Sequence, residues 1–121
     1  MEIIERIENL IATPEGKSFE SEGINPTFYW AYRNTRRTEN ILLDFDDVIW
    51  EKDVPEIVKN LKEFGITEFT ISNRYSGLVD VLALFVAEGC TIEGTTQVQA
   101  YYMNFSTGKP EILNAILVKA D

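Results

Sequence analysis

The sequence predicts an α+β domain in which N-terminal helices are followed by a β-α-β-β unit. The helices pack on one face of a small sheet of three strands, or four if residues 41–50 join it. Three observations predict this. Apolar residues recur at helical spacing in residues 2–12, 53–64 and 77–88. β-branched and aromatic residues dominate residues 66–72, and strand patterns return over 91–105 and 112–119. Pro, Gly, Asn and Asp fall between these segments, so the connections are short. The length of 121 residues fits one domain, 1–121.

The first helix, over residues 2–12, has Ile3, Ile4, Ile7, Leu10 and Ile11 as its apolar stripe. Its other face carries Glu2, Glu5 and Glu8, with Arg6 at i+4 from Glu2. Thr13-Pro14-Glu15 starts a short second helix that stops near Gly23. Asn25-Pro26 repeats that punctuation and predicts a third helix over 27–37. That helix holds Phe28, Tyr29, Trp30 and Tyr32 and ends in Arg33, Arg36 and Arg37, cations where a helix C-terminus favours them.

Residues 41–50 read ILLDFDDVIW, a mixed pattern that fits a short strand or a turn of helix. Asp53 is the predicted cap of a helix to Phe64, with Val54, Ile57, Val58, Leu61 and Phe64 inward and Gly65 ending it as a left-handed residue. In the strand over 66–72, Thr67, Phe69 and Ile71 share one face. Ser76 is the predicted cap of a helix over 77–88, with Leu78, Val79, Leu82, Phe85 and Val86 buried and Gly89 as its stop. A long strand over 91–105, bent at Gly94, turns through residues 107–110 into a last strand over 112–119.

Composition removes several kinds of chemistry. There is no histidine, which excludes Ser-His-Asp and Cys-His nucleophile systems and every histidine-ligated metal site. Cys90 stands alone, so no internal disulfide forms, and the expected compartment is the cytoplasm. Cys90 also follows a predicted helix C-terminus, where the dipole disfavours a thiolate. The glycines are isolated, so no phosphate-cradling loop is present. No apolar run approaches the ~20 residues of a membrane span.

Charge is the most distinctive property. Twenty acidic residues face eleven basic ones, a net charge of −9. Asp44, Asp46, Asp47, Glu51 and Asp53 form an acidic run, and Glu2, Glu5 and Glu8 add a second acidic face. The apolar anchors of the run are Leu43, Phe45, Val48 and Ile49, so Asp44, Asp46 and Asp47 are expected at the surface. Their oxygens are of the type hard cations take, but the spacing of a calcium-binding loop is missing, and no metal or cofactor is expected. Acids one helical turn apart lie about 5–6 Å apart at Cβ. Such a surface imitates a phosphate track and suits a basic nucleic-acid channel on another protein. Ordinary solubility charge is the competing reading.

The stretches TPEGKSFE, INPTFYWAYR, LLDFDDVIW, LKEFGITEFTIS and SGLVDVLALF resemble a family of short, acidic, uncharacterised proteins of Firmicutes, carried on plasmids, conjugative elements and phages. The resemblance runs nearly the full length and brings no catalytic residue with it. In size, charge and lack of catalytic groups the chain is similar in type to anti-CRISPR inhibitors. The resemblance implies a non-enzymatic partner-binding protein that presses an acidic surface onto a basic nucleic-acid-binding protein of the Cas9 type. The alternative is an accessory protein of a mobile element that binds through its aromatic surface.

Overall fold

In a computed structural model, residues 25–73 and 75–120 are described. The two helices predicted before residue 24, and with them Glu2, Glu5 and Glu8, lie outside the described residues. The architecture is α+β, with helices α1 (Pro26–Thr35), α2 (Val54–Glu63) and α3 (Leu78–Ala87). The strands are β1 (Leu43–Phe45), β2 (Glu68–Ile71), β3 (Thr91–Asn104) and β4 (Lys109–Lys119). A 3₁₀ turn, Glu51–Asp53, leads into α2.

The sheet has four strands in the order β1-β2-β4-β3. Residues 41–50 thus contribute a strand, and it runs parallel to β2, with Asp44 opposite Thr70. The C-terminal hairpin pairs β4 with both β2 and β3, antiparallel in each case. β4 therefore sits between β2 and β3, which the sequence places next to each other through α3. A bulge between Ile92 and Gly94 bends β3 where the glycine predicts it.

The three helices pack on the sheet face that carries Phe45, Phe69 and Ile71. Phe28 of α1 stacks on Phe64 at 5.4 Å between ring centroids and meets Phe45 edge-on. Phe85 of α3 packs on Phe69 at 5.4 Å. Asn25 caps α1 as its type predicts, its Oδ1 accepting from the Thr27 N–H at 2.9 Å. Both α2 and α3 end in the same motif. Gly65 and Gly89 take positive φ, and the next residues, Ile66 and Cys90, donate back to the Leu61 and Phe85 carbonyls. Cys90 is buried in that role.

Three local expectations are corrected. Asp53 gives α2 no side-chain cap, because the 3₁₀ turn before it supplies the entry. Ser76 does not cap α3 either; Gly77 holds the cap position without a side-chain bond. Within α3, only Val81 and Phe85 are fully buried; Leu78 and Leu82 are partly buried, and Val79 and Val86 are exposed. That helix is apolar on more than one stripe, and the sheet covers only one of them. Among the described residues no helix is long and apolar enough to cross a membrane.

Candidate functional site

The free edge of β1 would leave backbone groups unpaired. Thr35, the last residue of α1, satisfies them with its hydroxyl. It accepts from the Asp44 N–H at 3.0 Å and donates to the Asp44 carbonyl at 3.3 Å. The Asp44 side chain lies on the opposite sheet face from Phe45. Its two oxygens accept from Thr70 Oγ1 and Ser72 Oγ, each at 2.7 Å. Burial pushes this carboxyl above the ordinary aspartate range, and the two hydroxyls only partly oppose that. Asp44 is 5% exposed, so it is a structural group and not a contact residue. This corrects the expectation that it belongs to an acidic surface. The register with Thr70 puts its side chain between strands, where alternation alone cannot show a covered second face.

Beyond β1 the chain places Asp46 and Asp47 at the carboxyl end of the parallel pair. Ser72 and Asn73 follow β2 at the same end. A cleft of about 410 Å³ lies here, lined by Asn34, Asp46, Asp47, Ser72, Asn73, Tyr75, Tyr102 and Leu113. None of the described lining residues is a cation. The Asn34 amide donates to both oxygens of Asp46, at 3.1 and 3.4 Å. Burial pushes the Asp46 carboxyl up; the Asn34 bond opposes this and the neighbouring Asp47 charge reinforces it. Asp47 is exposed and accepts from the Val48 N–H at 2.8 Å. Asn73 is 6% exposed, and among the described residues its Nδ2 has no hydrogen-bond partner. Tyr75 and Tyr102 line the cleft with about half of each ring exposed.

The acidic run is therefore divided. Asp46 and Asp47 share the cleft. Glu51 is exposed on the 3₁₀ turn, which packs against α3. Asp53 is half-buried and accepts weakly from Thr27 Oγ1 at 3.5 Å. Among the described residues no three acidic or sulfur groups converge to hold a metal ion. Asn34, Ser72, Asn73, Tyr75 and Tyr102 are the lining residues that sequence reasoning misses. The signal that would find them is the parallel pairing of β1 with β2, since it brings the residues after each strand together.

Residues 27–120 match the family described as Domain of unknown function (DUF7698). The chain belongs to this family. The match spans nearly all of the described fold, so the cleft is built wholly from DUF7698 residues. No curated protein and no solved structure matches the chain.

The aromatic cluster of this DUF7698 domain is mostly interior. Phe28 and Tyr32 are buried, Tyr29 is half-buried and accepts from Arg33 Nη1 at 2.9 Å, and Trp30 is exposed.

Proposed function

We propose that the domain is a non-enzymatic binding protein that presents the acidic mouth of this cleft to a cationic surface on another protein. The observation that carries the reading is the placement of Asp46 and Asp47 at one cleft, with no cation among the described lining residues. The net charge of −9 adds long-range attraction toward a basic partner. The narrower form of the proposal is a cytoplasmic mobile-element inhibitor of a host defence nuclease. It would be anti-CRISPR-like and act on a Cas9-type effector. Such effectors hold nucleic acid in positively charged channels, and an acidic domain seated there excludes DNA without chemistry.

The test is a titration of the full chain against a purified Cas9-type effector, with and without guide RNA, followed by competition with target DNA. The expected result is saturable binding that weakens with salt and with Asp46→Asn plus Asp47→Asn, and that displaces DNA. No binding overturns the narrower reading. Binding that leaves DNA in place overturns the channel mechanism. The second reading, an accessory interaction protein with an aromatic contact face, draws on the exposed Trp30 and Trp50. It predicts affinity that stays flat as salt rises.

A further inference from the structure

The cleft is more specific than an acidic patch. Its lining holds two kinds of unspent hydrogen-bonding capacity. Asp46 and Asp47 are acceptors; among the described residues Asp46 is bonded by the Asn34 amide and by backbone N–H groups of Asp46 and Asp47, and Asp47 receives a backbone N–H, which leaves lone pairs on both. Asn73 is the opposite case, a buried amide donor with no acceptor among the described residues. The walls add two half-exposed tyrosines. A buried, unpartnered donor is costly, so a complement from outside is favoured.

From this arrangement we infer that the cleft seats one arginine side chain of a partner protein, together with the carbonyl oxygen of the same peptide segment. The guanidinium is a planar fork of five donors and no acceptor, matched to carboxylates and to tyrosine faces. It bonds Asp46 and Asp47 and lies on the rings of Tyr75 and Tyr102. Asn73, closed off in the free protein, turns its amide to donate from Nδ2 to the peptide carbonyl, an acceptor the guanidinium cannot supply. A lysine would offer a compact point charge without the fork or the plane, so arginine is preferred. The inference rests on the protein-binding role proposed above and specifies the group that is recognised.

The test is an NMR titration of the ¹⁵N-labelled full chain with N-acetyl-arginine N-methylamide. The matching lysine and citrulline derivatives and a neutral monosaccharide serve as comparisons. Saturable shifts are expected at the Asn73 side-chain amide and at the backbone amides of Asp46, Asp47, Tyr75 and Tyr102. Arginine should bind about tenfold or more tighter than citrulline, which keeps the shape and loses the charge. Asp46→Asn, Asn73→Ala and the exposed-site variant Tyr102→Ala should each weaken it, with dispersed spectra showing that the variants are folded. Equal binding of citrulline, shifts spread over all surface acids, or tighter binding of the saccharide overturns the inference. The same variants are then titrated against the basic effector. If they bind it like wild type, the arginine seat is wrong while the acidic-surface reading stands. If wild type fails to bind the effector yet takes up arginine at the cleft, the seat stands and the effector reading falls.

Discussion

Ser72 Oγ donates to Asp44 Oδ2 at 2.7 Å, and this bond joins the carboxyl ends of two parallel strands 28 residues apart in sequence. Thr70 makes the matching bond to the other oxygen. The pair of hydroxyls fixes β1 beside β2, and so fixes where Asp46, Asp47 and Asn73 emerge around the cleft.

Asp44→Ala should therefore destabilise the domain by about 2–4 kcal/mol, because it removes the acceptor of the buried Ser72 hydroxyl, leaves Thr70 only its 3.4 Å bond to the Leu43 carbonyl, and opens a void. Asp44→Lys should not fold, since it buries a long cation at a 5% exposed site whose two hydroxyls donate toward it. Asp47→Lys, at an exposed position, should stay within about 0.5 kcal/mol of wild type. Urea unfolding of the three variants checks the order; equal midpoints would mean that Asp44 is not the tie.

The pH response follows from the two raised carboxyls. Burial holds the native pKa of Asp44 and Asp46 above the ordinary 3.8, so the folded state binds protons more tightly than the unfolded chain. Their contribution to stability is complete below 3.8 and is lost as pH rises through the raised native values. Acidifying from neutral should thus raise the Tm, with a shallower slope in Asp44→Asn and in Asp46→Asn. Melts across the weakly acidic range test this; a slope unchanged in both variants would exclude these groups as its source.

Asn40 acts as a one-residue strand partner. Its Nδ2 donates to the Gln99 carbonyl at 2.8 Å, and its Oδ1 accepts from the Gln99 N–H at 2.9 Å. Asn40→Ala should cost about 1–3 kcal/mol, by leaving both backbone groups of this part-buried residue without that partner. Amide exchange at Gln99 should accelerate in the variant, while exchange at Phe69 in the core changes only with global stability.

The outer stripe of α3 should tolerate polar substitution. Val79→Lys and Val86→Lys, both at exposed positions, should shift stability by no more than about 0.5 kcal/mol each. Phe85→Ala, in the core against Phe69, should cost about 3–5 kcal/mol. Thermal melts separate the two outcomes, and a large loss from Val79→Lys would show that something covers that face.

Features set by neighbours along the chain are readable before any folding. Asn25 caps α1 because an Asn side chain reaches the N–H two residues on. Gly65 and Gly89 end α2 and α3 because a left-handed residue is needed there and glycine adopts it without a Cβ clash. Alternation put Phe69 and Ile71 on one face of β2, and the structure buries both against the helices. Which strands meet is settled by packing across the whole domain. β4 lies between β2 and β3, and β1 joins as a fourth strand. Both outcomes depend on pairings between distant residues that no local pattern encodes. The same reason governs the candidate site. The acids at Asp46 and Asp47 were legible as charge, but Asp44 looked equivalent to them until Thr70 and Ser72 were placed beside it. Tyr75, Tyr102 and Asn73 gain a role only where five separate segments converge on one cleft, because a cavity is a property of packing and not of any stretch of chain.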